Sequence, residues 1–228
     1  MKILQNLRSV FSAPVFSLLE RYRIVILHYN VSGKKQIFDR VYKVRQERKM
    51  LSLPIEAMQI YLLSKATQKI GGDMAEVGVF QGSTAKIMCL TKGRKTLHLF
   101  DTFEGLPTPV SSDDPILKKG MFPSSLESVK LYLSKYKNVK YYKGIFPSTA
   151  KHIRNLRFSF VNLDTDLYEG TYQSLEFFYP RMNKGGIIIT HDYAIYGGVR
   201  KAFDSFFEDK PDPIIELAGT EGMIVKCS

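Results

Sequence analysis

Four ionisable side chains follow two apolar runs that have the composition of buried strands. The run Phe158–Leu163 ends in Asp164-Thr-Asp166, and a second run of three isoleucines ends in His191-Asp192. Because the ligand crevice of an open α/β sheet lies outside the carboxyl ends of its strands, we expect these side chains to share one site. Carboxylates are the preferred ligands of hard cations, and they also accept protons from hydroxyl groups. The sequence therefore indicates a hard-cation site or an acid–base site.

The role of each side chain in this group is still open from the pattern alone. Successive residues of a strand point to opposite faces, and a strand that stays extended past Leu163 would place Asp164 and Asp166 on opposite sides of it. Asp166 or Asp192 could instead cap the helix that follows it. His191 could be a metal ligand, an acid–base group or a structural histidine.

A second candidate site is the turn Glu76-Val-Gly78-Val-Phe-Gln-Gly82-Ser83, between a predicted strand and a predicted helix. Its glycines permit close approach of a ligand to the backbone, and the helix N-terminus favours an anion. No Gly-Lys-Ser/Thr ends the turn, which excludes a Walker A loop, and an amino-acid carboxylate suits it better than a pyrophosphate. Asp101 ends the next predicted strand, 19 residues after Gly82, where an acid accepts hydrogen bonds from a ribose diol. Together, the turn and this acid predict a nucleoside-binding site.

The elements that must position these residues alternate between strand and helix, which predicts a parallel sheet covered on both faces. Strands are predicted at Met74–Val79, Thr96–Phe100, Val139–Lys143, Phe158–Leu163 and Gly186–Thr190, and a terminal hairpin at Ile214–Leu217 and Met223–Lys226. Helices are predicted at Ile55–Ile70, Ser83–Leu90, Ser124–Tyr136, Ser148–Ile153, Glu169–Tyr179 and Gly198–Phe207. The intervening loop Thr102–Pro123 has the length of a functional lid or of a disordered segment.

The first 50 residues differ in composition from the rest of the chain. They hold eleven lysines and arginines against three acids, so they carry +8 of the net charge of +11. We therefore divide the chain into a basic helical extension, residues 1–50, and a catalytic domain, residues 51–228. The extension is expected to form two short helices, at about residues 15–29 and 38–51 on either side of a loop at residues 31–35. These helices could pack on the domain, on a second subunit or over the active site. Its basic face could meet phosphates, anionic lipid or nucleic acid, or could simply be solvated.

The overall composition indicates a folded protein without a membrane span. Hydrophobic residues make up 44% of the 228 residues, and no run reaches the roughly 20 apolar residues of a transmembrane helix. The two cysteines, Cys89 and Cys227, lack the spacing of a metal site, which favours free thiols in a reducing compartment. Without a clear signal peptide, a cytoplasmic location is expected.

Five motifs in one order resemble those of the macrocin O-methyltransferase family. They are Glu76-Val-Gly-Val-Phe-Gln-Gly-Ser83, Asp101-Thr-Phe-Glu-Gly-Leu-Pro107, Leu163-Asp-Thr-Asp-Leu-Tyr-Glu169, Tyr179-Pro-Arg-Met-Asn-Lys-Gly-Gly186 and His191-Asp-Tyr193. The resemblance spans about residues 50–226. It implies the fold of class I S-adenosylmethionine methyltransferases, an α/β Rossmann-like fold whose seven-stranded, mostly parallel sheet has an antiparallel last strand. Members are Mg²⁺-dependent, usually oligomeric, and methylate sugar hydroxyls of macrolide and aminocoumarin antibiotics.

The resemblance also assigns roles to individual residues. It implies that the S-adenosylmethionine site includes Glu76, Gly78, Gly82, Ser83, Asp101 and Thr102, with Asp101 on the ribose. It makes Asp164 a metal ligand together with His191 and Asp192, and it makes Asp166 the general base, with His191 as a second catalytic candidate. The family commonly has Asp-Asp where this chain has His191-Asp192, and the softer histidine predicts weaker Mg²⁺ binding or a transition metal.

The resulting prediction is an O-methyltransferase that acts on a hydroxyl of a sugar or glycoside. The alternatives are a methyltransferase for RNA, lipid or another hydroxylated metabolite, and a binding protein without activity on the same fold. The expected partners are a small-molecule or glycan acceptor and further copies of the chain, with no nucleic acid. Peripheral contact of the basic extension with an anionic membrane or a glycolipid is also left open.

Overall fold

A computed structural model describes residues 34–228, and Ile37–Ser228 form one compact unit. The helix predicted between residues 15 and 29 lies outside the described residues. The next helix, α1, comprises Lys34–Glu47 and so includes two lysines that were expected in a loop.

The regular elements of the described chain alternate as the sequence predicted. The other helices are α2 Pro54–Ala66, α3 Ser83–Thr91, α4 Leu126–Leu133, α5 Tyr168–Phe178 and α6 Gly197–Phe207, with 3-10 turns at Thr67–Lys69, Ser148–Ile153 and Tyr179–Arg181. The strands are β1 Asp73–Val77, β2 Leu97–Asp101, β3 Val139–Lys143, β4 Phe158–Leu163, β5 Met182–Thr190, β6 Ile215–Glu216 and β7 Gly222–Val225.

These strands form one seven-stranded sheet in the order β3-β2-β1-β4-β5-β7-β6. Strands β1 to β5 are parallel, whereas β7 is antiparallel to β5 and β6 is antiparallel to β7. The predicted fold class and terminal hairpin are thereby confirmed. The direction of winding reverses between β1 and β4, so the crevice for a ligand lies at the carboxyl ends of these two strands.

Side chains of β1 alternate between the two helical layers. Ala75 and Val77 belong to a hydrophobic core that also contains Phe178 of α5 and Phe203 of α6. Glu76, between them in sequence, instead contacts Thr84 of α3. Helices therefore cover both faces of the sheet, as a mostly parallel sheet requires.

Several boundaries differ from the predicted ones for identifiable reasons. Strand β1 ends at Val77 rather than at residue 79, because Gly78 turns the chain with φ +88°. Strand β5 begins at Met182, four residues before the predicted start, because Met182 already pairs with Phe158. Helix α4 begins at Leu126 rather than at Ser124, because Ser125 caps it by accepting a hydrogen bond from the amide of Ser128 at 3.2 Å.

Residues 37–50 pack on the domain that was predicted to begin at residue 51. Arg48 donates hydrogen bonds to the hydroxyl and carbonyl oxygens of Ser128, at 2.8 and 3.2 Å. Glu47 pairs with Lys86 and accepts a hydrogen bond from the Tyr132 hydroxyl at 2.9 Å. These contacts with α3 and α4 explain why the compact unit starts at Ile37. Within residues 34–228, no helix combines the length and apolar character needed to cross a membrane.

Candidate active site

A cavity of about 560 Å³ opens at the carboxyl ends of the central strands. Asp101 of the predicted nucleoside site and Asp164 of the predicted acid site both line it. Eight of the ten predicted site residues contribute to its wall: Gly78, Ser83, Asp101, Thr102, Asp164, Asp166, His191 and Asp192. The other two, Glu76 and Gly82, do not line this cavity.

The backbone at Gly78 brings the two predicted sites together. Its amide donates to the carbonyl of Phe100 at 2.9 Å, and the amide of Asp164 donates to the carbonyl of Val77 at 2.8 Å. A β-carbon on Gly78 would lie 1.8 Å from the carbonyl oxygen of Asp164, far inside van der Waals contact. Glycine is therefore required here both by the positive φ and by the close approach of β4.

Asp101 holds the two turns that surround it. Its Oδ2 accepts hydrogen bonds from the amides of Val79 and Phe80 at 2.7 and 2.8 Å, and its Oδ1 accepts one from Phe103 at 2.6 Å. Phe80 and Phe103 are both in the left-handed region, with φ of 48° and 57°. A carboxylate has about four accepting positions, so roughly one is left for a ligand hydroxyl.

Glu76 is fully buried in the sheet rather than on the cavity wall. Its Oε1 accepts a hydrogen bond from the side-chain amide of Asn162 at 2.9 Å. The Thr84 side chain lies beside the carboxylate, but Oε2 accepts no well-aligned hydrogen bond from the described residues. Burial raises the pKa of Glu76 to about 8, and the nearby carboxylates of Asp164 and Asp101 add to the effect. An unpaired buried oxygen of this kind is costly unless a ligand or water supplies a donor.

The N-terminus of α3 lies against the segment that joins α1 to α2. Gly82, in the left-handed region with φ +83°, precedes the helix. The hydroxyl of Ser83 donates to the carbonyl of Lys49 at 3.0 Å. Residues 49–53 line the cavity, so this connecting segment is part of its wall.

His191 is surrounded by three carboxylates. Its Nδ1 lies 2.9 Å from Oδ2 of Asp192 and 3.4 Å from Oδ1 of Asp164, and its Nε2 lies 3.1 Å from Oε2 of Glu56. Burial alone would lower the pKa of His191, but the three carboxylates outweigh it and raise this pKa far above its ordinary value. Asp164, His191 and Asp192 each offer a ligand atom within 4.8 Å of the others, so their donors fit a divalent cation.

Asp166 and Asp192 both occupy the left-handed region, each with φ 60°. The chain is therefore not extended beyond β4, so the condition under which Asp164 and Asp166 would lie on opposite sides of a strand is not met. The pKa of Asp166 is raised well above its ordinary value by burial and by the charges of Asp164 and Asp192. Strained backbone of this kind is common at functional sites.

Neither aspartate caps the helix that follows it. The N-cap positions of α5 and α6 are Leu167 and Tyr196, and neither helix has a side-chain cap there. The first amide of α5, that of Tyr168, donates instead to Oδ1 of Asp113 at 2.6 Å. The carboxyl groups of Asp166 and Asp192 thus remain with the acid cluster that borders the cavity.

The long loop between β2 and α4 forms one wall of the cavity. Leu106, Val110 and Phe122 of this loop line it. Besides binding Tyr168, Asp113 accepts a hydrogen bond from the amide of Val110 at 2.7 Å, so one buried side chain fixes the loop to α5.

Sequence reasoning missed several residues of this site. Glu56 and Thr220 come from α2 and from the terminal hairpin, outside the strand ends that the pattern highlighted. Glu56 stands three residues after Leu53, a spacing that predicts a helix cap and nothing more. Ile145 and Phe146, which follow β3 and also line the cavity, carry no chemical signal in the sequence.

The fold matches solved methyltransferase structures. The O-methyltransferase NovP superposes with a TM-score of 0.67 and 20% sequence identity, covering 76% of this chain and 80% of that one. The architecture is thus that of the class I Rossmann-like O-methyltransferases.

The sequence defines the family more closely. The model of the macrocin-O-methyltransferase (TylF) family matches residues 54–220, and the chain belongs to that family. The chain is 29% identical over 170 residues to 8-demethyl-8-(2,3-dimethoxy-alpha-L-rhamnosyl)-tetracenomycin-C 4'-O-methyltransferase from Streptomyces olivaceus, covering 66% of this chain and 64% of the relative. It is 24% identical over 153 residues to demethyldecarbamoylnovobiocin O-methyltransferase from Streptomyces niveus, covering 60% and 58%. The chain thus spans less than two thirds of either curated relative.

Proposed function

We propose that this protein transfers a methyl group from S-adenosylmethionine to a hydroxyl of a sugar in a glycoside. The observation that carries the proposal is that Asp101 and Asp164 line one cavity, so a nucleoside and an acceptor hydroxyl could lie side by side. The family and the names of its two curated relatives, both O-methyltransferases and one with a rhamnosyl compound as its named substrate, support the same conclusion.

In this proposal the β1 turn binds the cofactor. Gly78 lets the backbone approach the ligand, and Asp101 accepts a hydrogen bond from a ribose hydroxyl at its remaining position. The buried Oε2 of Glu76, which accepts no well-aligned hydrogen bond from the described residues, is the proposed partner of the ammonium group of the methionine part. Thr102 and Ser83 also line the cavity, and the N-terminus of α3 at Ser83 favours the carboxylate, whereas Gly82 precedes the helix without lining the cavity.

The acid cluster serves the acceptor. Asp164, Asp192 and Nδ1 of His191 would hold a divalent cation, Mg²⁺ or a transition metal, which when bound lowers the pKa of a coordinated hydroxyl. Asp166 lies beside Asp192 and is the proposed general base. Its raised pKa makes the ionised form a stronger base toward a hydroxyl proton.

The proposed step is an in-line displacement at carbon. The acceptor oxygen forms a bond to the methyl carbon as the bond from that carbon to sulfur breaks. Asp166 takes the hydroxyl proton, and S-adenosylhomocysteine leaves with the electron pair on sulfur. The chain contributes alignment through the walls of the cavity and exclusion of water by the loop that Asp113 anchors.

The charge of the cavity favours an uncharged acceptor. Seven carboxylate side chains line it: Glu56, Asp101, Asp113, Asp164, Asp166, Glu169 and Asp192. Among the described lining residues, Lys49 is the single lysine or arginine. The carboxylates that neither His191 nor a bound cation neutralises would repel a sugar diphosphate, whereas a neutral glycoside would meet no such repulsion.

The test is a methyl-transfer assay with labelled S-adenosylmethionine and a matched pair of acceptors. One acceptor carries a deoxysugar as a neutral glycoside, and the other carries the same sugar on a nucleoside diphosphate. Label transfer to the neutral glycoside at a higher kcat/KM supports the proposal. Transfer to neither acceptor across a panel of sugars and divalent metals would contradict it.

Three further predictions are not addressed by this assay. They are homo-oligomerisation, contact of the basic extension with anionic membranes or glycolipids, and a cytoplasmic location. Light scattering, vesicle sedimentation and fractionation would test them separately.

A further inference from the structure

Glu56 lies against the side of His191 that faces away from the acid cluster. It is 1% exposed, and its Oε2 lies 3.1 Å from Nε2 of His191. The same oxygen accepts a hydrogen bond from the amide of Leu53 at 2.6 Å. Its other oxygen accepts hydrogen bonds from the amide and the hydroxyl of Thr220, both at 2.9 Å.

These contacts decide which ring nitrogen of His191 carries the hydrogen toward Glu56. Three N–H or O–H groups already donate to the Glu56 carboxylate, whose pKa is lowered, so it is ionised and has no hydrogen to donate to the imidazole. The hydrogen between His191 and Glu56 therefore belongs to Nε2, and Nδ1 is the ring nitrogen that faces Asp164 and Asp192. Nδ1 is buried and has no well-aligned hydrogen bond among the described residues, although Oδ2 of Asp192 lies 2.9 Å away.

The position of Glu56 is fixed by crowding as well as by hydrogen bonds. A β-carbon on Gly219, which has φ +110°, would lie 2.7 Å from Oε1 of Glu56. Gln59, one turn further along α2, donates to the carbonyl of Ala218 at 3.0 Å and to the carboxylate of Glu221 at 2.6 Å. Helix α2 and the terminal hairpin thus form one support behind the imidazole.

We propose that Glu56 is a positioning residue that presents Nδ1 of His191 as a nitrogen ligand, so that the site prefers a divalent transition metal to Mg²⁺. A metal-binding histidine typically donates its other N–H to a carboxylate, which orients the ring and increases its basicity. The imidazole nitrogen beside two carboxylate oxygens suits a divalent transition metal better than it suits Mg²⁺, which prefers oxygen ligands. This inference rests on the metal site of the proposed function, but it concerns binding alone.

The experiment uses Mn²⁺ and Mg²⁺ as probes on the full chain. Calorimetric titration should give tighter binding of Mn²⁺ than of Mg²⁺, and pulsed electron paramagnetic resonance of bound Mn²⁺ should show coupling to one nitrogen. His191→Asn should remove the nitrogen coupling. Glu56→Gln should weaken Mn²⁺ binding by about 10-fold to 100-fold. The matched control is Glu47→Gln, which removes a glutamate that pairs with Lys86 and should leave Mn²⁺ affinity unchanged.

A double variant separates positioning from a general structural effect. If Glu56 acts through the ring, Glu56→Gln should have little further effect on Mn²⁺ affinity in the His191→Asn background. An equal loss in both backgrounds would overturn the proposal, as would Mn²⁺ bound without nitrogen coupling or no preference over Mg²⁺. If Glu56→Gln does not fold, Thr220→Val removes one hydrogen bond to Glu56 and should give a smaller loss of the same kind; an unchanged affinity would count against the proposal.

The outcomes for metal and for activity can be told apart. Binding of S-adenosylhomocysteine without metal tests the cofactor site of the proposed function and does not depend on Glu56. Nitrogen-coupled Mn²⁺ in a protein that transfers no methyl group would support the role of Glu56 while contradicting the proposed reaction.

Discussion

Gly78 and Asp164 are in backbone contact across the tips of β1 and β4. A β-carbon at Gly78 would fall 1.8 Å from the carbonyl oxygen of Asp164. This contact joins the turn that we assign to the cofactor to the first carboxylate of the acid cluster. The two halves of the site are therefore held together by the sheet itself rather than by a flexible connection.

The first prediction concerns that contact. Gly78→Ala should destabilise the protein by about 3 kcal/mol or more, because it combines a backbone clash with a strained φ. For a domain of this size the melting temperature should fall by about 6–12 °C, measured by calorimetry. Gly197→Ala is the control, since a β-carbon there meets open space. Equal melting temperatures for the two variants would show that the ends of β1 and β4 are further apart than the structure places them.

The second prediction concerns the pH dependence of stability without cofactor. Burial raises the pKa of Glu76 to about 8 from an ordinary 4.5, so its contribution to stability is complete below 4.5 and is lost as pH rises through 8. The free energy of unfolding should therefore fall between pH 5 and 8 more steeply in wild type than in Glu76→Gln, by up to about 1.4 kcal/mol per pH unit. Denaturant titrations at several pH values measure this difference. If the free energies of unfolding of wild type and Glu76→Gln change with pH in parallel, Glu76 is ionised in the folded state and the prediction is wrong. The control is Glu208→Gln, a substitution of an exposed glutamate.

The third prediction tests the proposed base. Asp166→Asn should lower kcat by about 100-fold to 10,000-fold, because the amide cannot accept the hydroxyl proton. Asparagine tolerates the left-handed backbone at this position, so the fold should be retained. The affinity for S-adenosylhomocysteine should stay within about 2-fold of wild type by calorimetry. Turnover close to that of wild type would show that Asp166 is not the general base. The control is Asp209→Asn, a substitution of an exposed aspartate that should leave kcat unchanged.

The fourth prediction concerns the loop wall. Asp113→Asn replaces one acceptor by a donor beside the amides of Val110 or Tyr168, so it should release the loop from α5. The KM for the acceptor should rise by about 10-fold, with a smaller change in kcat, and proteolysis within residues 102–123 should become faster. Asp114→Asn, at the neighbouring position, should change neither. If the loop of Asp113→Asn is as resistant to proteolysis as that of wild type, the prediction is wrong and other contacts fix the loop to α5.

Much of the fold follows from local patterns in the sequence. The apolar run of β4 is buried at all six positions, and its predicted bounds, Phe158–Leu163, are those of the structure. Alternation of strands and helices was sufficient to predict the parallel sheet. The strand ends were harder to predict than the strands themselves. The end of β1 at Gly78 and the start of β5 at Met182, which pairs with Phe158, depend on neighbouring strands rather than on local composition.

The site was predictable only where its residues follow strands. Asp101, Asp164, Asp166 and Asp192 were found in that way, and the cavity brings them together. Glu56 could not be found, because its contact with His191 joins positions 135 residues apart. The geometry of Asp166 was also beyond the pattern, since its left-handed backbone turns the side chain back toward Asp192 instead of continuing the strand.

The account depends most directly on whether one nucleoside binds beside Asp101. Calorimetric titration with S-adenosylhomocysteine should give one site per chain with a Kd below about 100 µM, a binding free energy of roughly 5.5 kcal/mol or more. Asp101→Asn, checked for an intact fold by circular dichroism, should weaken this binding by at least about 10-fold. No detectable heat at millimolar ligand, or equal binding by wild type and Asp101→Asn, would contradict the central claim.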